Sequence, residues 1–539
     1  MSDQSAEAPN PAPTRIPAEL RVPAISRRRM LQLGALGVGA FAATPLLAAC
    51  GSSSSGGSGG NGGDLVIVRA QDSVDMDKTM VFSNASLWVY QQMYECLVAM
   101  TDDGQGVKPW LAESYQMSPD NLTCTLKLRQ GVKFHNGQPL TSADVKFSID
   151  ESSKTHGGWE FINSAIKEVS TPDASTVVVT TNYPWAPLLA DLSCPNNGIV
   201  PKDYGGKSKA AFYAAPVATG PFRWDTWQKG NLIRLKKNPT YWQPGKPGVD
   251  TVTWKVVPDD NSRAIQLQGG QAQINEAPPF SSISQLKAQP GVQVDLFPST
   301  RTDYILMNQN KTPYADIHVR RAISYALDRE SMVKNILFGN GQPANSFMMP
   351  SAPYYDKNCQ GITYNMDKAR QELAQSSVPH GFTTTYLAMS GDSVDSAIAQ
   401  ILQASLKELG ITMNIQNVDS SAQHDLTTKL DYEIAHSYWT MDLADPDELV
   451  QFALDPTSGG HSFDTAYNNP QLIELLHQAQ REFDKGKRQT LYNQIQQQAA
   501  DSAFLGFLFY TPFPYSASDK VKGFKVLPTG YYHLEDVTL

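Results

Sequence analysis

The stretch LAESYQMSPDNLTCTLKLRQGVKFHNGQPLTSADVKFSID, residues 111–150, is the most legible part of the chain. Leu122, Cys124, Leu126 and Leu128 recur at period two, which predicts a strand with one buried face. That places Cys124 as a small buried residue. Residues 129–131 turn the chain, and VKFH at 132–135 reads as a second short strand stopping at Asn136-Gly137. Thr141 and Asp144 then stand at capping-box spacing ahead of a helix carrying Val145, Phe147 and Ile149.

The pattern continues on both sides. DLVIVRAQDS from residue 64 reads as an opening strand, and STVVVTTNYP and DTVTWKVVPD as further strands, with NSRAIQLQGGQAQI as a short helix. Beyond Pro298 longer helices take over. VRRAISYALDRESMVKNILFG aligns Val319, Ile323, Ala326, Leu327, Val333, Ile336 and Leu337 on one stripe, with Gly339 as the stop. SAIAQILQASLKELG is a second helix ending at Gly410, followed by ITMNIQNV as a strand. PQLIELLHQAQREFDKG and RQTLYNQIQQQAADSA are two more helices, and FLGFLFYTPFPYS and VKGFKVLP close the chain as strands. Strands alternating with helices predict an α/β protein. No period of 20–50 residues repeats, which excludes a solenoid.

The first fifty residues read as an address rather than as fold. Arg27, Arg28 and Arg29 precede an apolar run from Met30 to Leu47, the layout of an export signal, and Ser26-Arg27-Arg28 fits the twin-arginine type. LAAC at 47–50 resembles a bacterial lipobox with Cys50 as the lipidated residue, and GSSSSGGSGGNGG after it is a flexible tether. No other segment approaches the roughly 18 apolar residues of a spanning helix. The body from Asp64 to Leu539 is long enough for two or three domains. A formal charge of −9 and a pI near 5.5 argue against nucleic acid, which needs a basic face. Cys96, Cys124, Cys194 and Cys359 match no metal spacing, and a disulfide between Cys194 and Cys359 is left open.

Signatures of catalysis are missing: there is no G-x-S-x-G, H-E-x-x-H, Walker loop or G-x-G-x-x-G. The nine histidines are scattered singly, and His135, His318 and His436 read as structural. YWTMDLADPDE at 438–448 instead gathers Asp442, Asp445, Asp447 and Glu448. Calcium loops need a glycine where this stretch has a proline, so neither a metal nor a cofactor is expected. A hydrolase using Asp442 and Asp445 is an alternative that paired carboxylates leave open.

Residues 111–150 closely resemble the signature region of the bacterial extracellular solute-binding family 5. ATGPFRWDTWQKGNLIRLKKNPTYW at 218–242, VRRAISYALDR at 319–329 and DKVKGFKVLP at 519–528 resemble further family motifs in order. The resemblance implies a class II periplasmic binding fold: two α/β lobes joined by a hinge, with an extra subdomain inserted in the first. Lobe I is expected at 64–297 plus 510–539, with the insertion at about 96–194, and lobe II at 298–509. It also implies a non-enzymatic, monomeric receptor, lipid-anchored outside the cytoplasmic membrane, that passes a peptide or amine-bearing solute to an ABC transporter permease. A metal chelate or other cationic solute is the alternative ligand.

In peptide-binding members of the family, a tryptophan followed two residues later by an aspartate holds the ligand's ammonium. The pattern falls on Trp439 and Asp442, with Asp445-Pro446 as the turn behind them. An ammonium removed from water must be paired, and Trp439 supplies an aromatic wall worth roughly 0.5–2 kcal/mol. Asp447 and Glu448 read instead as solvated carboxylates at a helix start. Dipeptide binders carry an arginine in a loop that here reads TYLAMSGDSVDS, where Asp392 and Ser393 stand as candidate ligand contacts without any cation. Asp75 and Asp77 read as a surface turn. Tyr90, Tyr94, Tyr438 and Trp439 are aromatic candidates, although Tyr438 and Trp439, as strand neighbours, face opposite ways.

Overall fold

The computed structural model describes residues 62–156, 158–458 and 460–539. The export signal and Cys50 lie outside the described residues. Three larger sheets organise what is described. The first has seven strands in the order Val292–Phe297, Phe513–Ser518, Ile274–Glu276, Asp64–Arg69, Thr251–Val256, Leu232–Lys237 and Phe222–Gln228. Asp64–Arg69 lies parallel to Thr251–Val256 and Ile274–Glu276, and its Leu65, Ile67 and Val68 are fully buried. The second has six strands in the order Gln342–Pro343, Leu505–Tyr510, Arg301–Met307, Ile434–Thr440, Thr383–Met389 and Thr412–Val418. Its strand Arg301–Met307 buries both faces, Tyr304 and Leu306 into one apolar cluster and Ile305 and Met307 into another. That is why the run YILM shows no polar alternation.

These two sheets are the cores of two α/β lobes. The chain passes between them at residues 298–300 and 511–512. FLGFLFYTPFPYS, one apolar run in sequence, is therefore divided: Leu505–Tyr510 completes the second sheet and Phe513–Ser518 the first.

The third sheet, in the order Ala112–Met117, Thr123–Leu128, Thr176–Thr181 and Ile166–Asp173, is the inserted subdomain, placed in sequence between two strands of the first sheet. Thr123–Leu128 buries Cys124, Leu126 and Leu128, as the period-two pattern predicts. The Thr141 amide donates to Asp144 Oδ2 at 2.8 Å, and this capping box opens the helix Ser142–Lys154. Asp144 Oδ1 also accepts from the Lys202 amide at 2.8 Å, so the cap ties the helix to a segment 58 residues away.

Some expectations need correction. VKFH forms only an isolated bridge, Lys133 to Pro139, and VKGFKVLP likewise contributes bridges rather than a strand. The stripe from Val319 to Leu337 belongs to two helices, Ile317–Tyr325 and Arg329–Ile336. Asp328 breaks it by accepting the Ser331 amide at 3.0 Å as the cap of the second helix. Both halves still face one apolar cluster, so the periodicity hides the break. All four cysteines of the described residues are free, with Cys194 and Cys359 in different apolar clusters.

Asp144→Ala should lower the urea unfolding midpoint by an amount equivalent to about 2–3 kcal/mol, because it orphans the Thr141 and Lys202 amides together. An unchanged midpoint would show that the cap is dispensable.

Candidate functional site

The strand Ile434–Thr440 leads into the acidic stretch. It pairs with Arg301–Met307 so that Tyr438 stands opposite Asp303 and Trp439 opposite Thr302. Successive side chains face opposite ways. Trp439 packs on Phe452 and Phe463, with ring centroids at 4.8 and 5.6 Å. Phe452 meets Phe161 of the inserted subdomain at 4.8 Å, and Phe161 stacks on Trp159 at 5.9 Å. Trp439 thus ends an aromatic row running from the second lobe into the first.

Tyr438, 44% exposed, lies on the other face beneath the Arg301 guanidinium, 3.7 Å from its ring centroid. Arg301 in turn holds Asp303 through two bonds of 2.9 and 2.6 Å. Burial raises the Asp303 carboxyl, but Arg301 and His436 outweigh it and hold it well below the usual range. Asp392 is the cap of the helix Ser393–Lys407, accepting the Val394 and Asp395 amides at 2.8 and 2.9 Å, and Ser393 is the first helical residue. The five candidate residues therefore divide: Trp439 and Asp442 lie toward the first lobe, while Tyr438, Asp392 and Ser393 gather around Arg301 and the helix start. Arg301 is the cation that the loop 385–396 lacks, but Asp303 already pairs with it.

Asp442 is 6% exposed. Its Oδ1 accepts a 3.0 Å bond from the Tyr531 hydroxyl, 89 residues further on and beyond the last strand of the first sheet. Its amide donates to Glu448 Oε2 at 3.0 Å. Nearby contacts join the same two regions: the Thr300 amide donates to the Pro528 carbonyl, and Asn84 Nδ2 reaches Thr440 Oγ1 at 3.4 Å. A cavity of about 70 Å³ borders Tyr531, lined also by Gln91, Tyr94, Glu95 and His533. It has room for a few waters rather than a peptide.

The expectation that Asp447 and Glu448 are solvated is overturned: they are 2% and 1% exposed. The helix Asp447–Leu454 is packed with its first turn inward, because Leu449, Val450, Phe452, Ala453 and Leu454 are buried on every side. Asp445 is buried too, gripped by Arg488 at 2.5 and 2.9 Å. Asp191, from the inserted subdomain, accepts from Trp185 Nε1 at 2.6 Å and feels the charges of Asp447 and Asp445.

Five buried carboxyl groups (Asp191, Asp442, Asp445, Asp447 and Glu448) thus gather here, and the Arg488 guanidinium, engaged by Asp445, is felt by Asp191 and Asp447 but not by Asp442 or Glu448. Burial raises Asp442 and Glu448, and the Asp442 charge raises Glu448 further. Burial, then the neighbouring Asp445 charge, pushes Asp447 up to about 7.

No local signal marked Arg488, Asp191 or Tyr531, since each reaches the cluster from a distant segment. Asp75 and Asp77 are turn formers, as expected: Asp75 Oδ1 accepts the Met76 amide and Asp77 Oδ1 the Thr79 amide. His135 is structural, bonded to the Gly220 carbonyl at 3.0 Å, and burial lowers it to about 4.

A carboxyl raised by folding stabilises the fold while protonated, and that contribution is lost as pH rises through the folded value. For Asp447 the window runs from about pH 4 to pH 7. Asp447→Asn should flatten the dependence of Tm on pH across that window and stabilise the protein at pH 8 by up to about 4 kcal/mol. A Tm profile of unchanged slope would refute it.

Comparison with known proteins agrees with this architecture. A family model described as bacterial extracellular solute-binding proteins, family 5, middle region, matches residues 106–461. The chain is 28% identical over 524 residues to the glutathione-binding protein GsiB of Escherichia coli (strain K12), covering 94% of this chain and 98% of that protein. Among solved structures, the ABC transporter-associated periplasmic binding protein DppA from Helicobacter pylori, in complex with peptide STSA, superposes with a TM-score of 0.80 at 29% identity, covering 89% of this chain and 98% of DppA. The oligopeptide-binding protein AppA from Bacillus subtilis, in complex with a nonapeptide, gives 0.79 at 27% identity, covering 89% and 99%. The chain belongs to the bacterial extracellular solute-binding proteins of family 5.

Proposed function

We propose that this solute-binding protein captures a peptide or another amine-bearing solute between its lobes and delivers it to the permease of an ABC importer. In this reading lobe I comprises residues 64–297 and 511–539, with the insertion at about 96–194, and lobe II residues 298–510, one residue past the expected 509 because Tyr510 still pairs within the second sheet. The two chain crossings, at residues 298–300 and 511–512, act as the hinge. Closure of lobes around a solute is a population shift driven by the contacts the solute makes in the closed state.

The observation that carries the reading is Asp442, a carboxyl buried where the lobes touch and paired with no cation among the described residues. The ligand's ammonium is the charge that would complete it, with Trp439 as the aromatic wall beside it. Support for a peptide-like ligand comes from the partners named for the relatives: glutathione for GsiB, peptide STSA for DppA and a nonapeptide for AppA. Tyr438, Asp392 and Ser393 would meet the ligand further along the cleft, where the Arg301–Asp303 pair offers no uncommitted positive charge to a ligand carboxylate. The same carboxyl excess favours a cationic solute, such as a polyamine or a metal chelate, as the second reading.

The receptor acts as a monomer on the outer face of the cytoplasmic membrane, held by lipid on Cys50 after twin-arginine export. Among the described residues no helix is long and apolar enough to cross a membrane. Cys50→Ser should move the protein from the membrane fraction to the soluble fraction, and unchanged membrane retention would sink the anchor.

Binding is tested by thermal shift on the body from Asp64, using di- to hexapeptides, their N-acetylated forms, polyamines and nickel chelates. A ligand at a hundred times its Kd adds about 2.7 kcal/mol. Free-amine peptides should stabilise and acetylated ones should not, and Asp442→Asn should weaken binding by about 2–5 kcal/mol. Stabilisation by acetylated compounds alone, or unchanged affinity in the variant, would overturn the role of Asp442.

A further inference from the structure

Beside Asp442 stand two buried polar groups that the fold does not use. Glu448 spends Oε2 on the Asp442 amide, while its Oε1 is buried with no hydrogen-bond partner. Tyr90, fully buried on the first-lobe helix Asn84–Tyr90, has a hydroxyl with no partner either, and it feels the Asp442 charge. An orphaned buried polar group costs roughly 1–3 kcal/mol, so two of them close enough to feel one buried carboxyl mark a place where something else binds.

The Asp442 and Glu448 carboxyls are neighbours, joined through the Asp442 amide on Glu448 Oε2 at 3.0 Å, and burial raises both while the Asp442 charge raises Glu448 further. Two neighbouring carboxyl groups buried with no cation beside them keep a proton, because two like charges out of water are costly. Around the pair, Asp447 Oδ1 and Trp439 Nε1 are also buried without a partner, and the remaining groups are engaged. Tyr531 donates to Asp442, the Cys194 thiol is buried and neutral, Asp447 bonds Gln451, and Arg488 is committed to Asp445. Asp191 is turned to Trp185. Among the described residues no lysine or arginine reaches the pair, so its only source of positive charge is that proton or a ligand.

We propose that Glu448 is the second carboxylate of the ligand site, and that Asp442, Glu448 and the Tyr90 hydroxyl oxygen together receive one primary ammonium group of the ligand. A primary ammonium has three N–H donors, and these residues offer three acceptors from two lobes. Entry of the ammonium expels that proton to solvent, so binding is coupled to proton release and closes the lobes on a charge that is then fully paired. The site accordingly selects R–NH3+ over acylated or N,N-dimethylated amines. Dimethylation keeps the charge but leaves a single N–H.

This inference rests on Asp442 as the amine receptor and deepens it. The test is isothermal titration of the best free-amine peptide of the panel, in phosphate and in Tris, with its N-acetyl and N,N-dimethyl forms. Wild-type protein should release close to one proton per peptide, seen as a buffer-dependent heat, and affinity should rise about tenfold between pH 6 and pH 7. Glu448→Gln, whose amide oxygen can still accept the Asp442 amide, should fold normally, bind at least tenfold more weakly, and lose both the proton release and the pH dependence. Tyr90→Phe should weaken the free amine about tenfold and shrink its advantage over the dimethyl form.

If Asp442→Asn abolishes binding while Glu448→Gln keeps affinity and proton release, the inference fails and the amine reading stands. If Asp442→Asn binds like wild type, or no free-amine peptide binds at all, the amine reading falls and takes the inference with it.

Discussion

Five buried carboxyl groups, of which the Arg488 guanidinium reaches only three, are the constraint on which the rest of this structure turns. An ion removed from water costs several kcal/mol unless it is paired, and Arg488 can satisfy only Asp445. The others are kept tolerable by protonation, by Trp185, Gln451 and Tyr531 as donors, and by a close-packed aromatic surround. Such a cluster is least costly when neutral, and it gains most from a cation brought in from outside. A receptor that must hold its ligand firmly and still release it to a transporter can use that imbalance, because the empty closed state is never fully satisfied.

The scaffold delivers these groups from separate places. Asp442, Asp445, Asp447 and Glu448 follow a central strand of the second sheet, Asp191 comes from the insertion, and Tyr90 and Tyr531 from the first lobe. The inserted subdomain is therefore part of the contact between lobes rather than an appendage. Its Phe161 packs on Phe452, its Ala186 amide donates to the Gln480 carbonyl, and its Tyr183 receives the Arg481 guanidinium at 5.0 Å from the ring centroid. Opening of the lobes would separate all three contacts together with the Tyr531–Asp442 bond, so hydration of the acidic cluster and movement of the insertion belong to one event.

The double chain crossing explains how a loop can carry so many buried charges without unfolding its lobe. Thr300, at the first crossing, bonds both Met441 and Pro528 carbonyls, which holds the start of the acidic stretch against the end of the chain. Ser299 Oγ donates to the Thr511 carbonyl, tying one crossing to the other. Short, mutually bonded crossings restrict the relative motion to a hinge rather than a free linker.

Local chemistry was enough to read the α/β class, the strand through Cys124, the Thr141–Asp144 cap, most helices and the family motifs. Those features depend on side-chain period and on contacts a few residues apart, which the chain carries in its order. The resemblance to the family's tryptophan–aspartate pattern pointed to Asp442 and Trp439 as candidates. What local chemistry could not tell was which carboxylates lie in water. Asp447 and Glu448 sit at a helix start, where exposure is the ordinary outcome, and only the packing of that helix between two lobes removes them from solvent. The same holds for Arg488, Asp191, Tyr90 and Tyr531, and for the apolar run divided between two sheets. Burial and charge balance are sums over segments hundreds of residues apart, so they were decided by the tertiary structure alone.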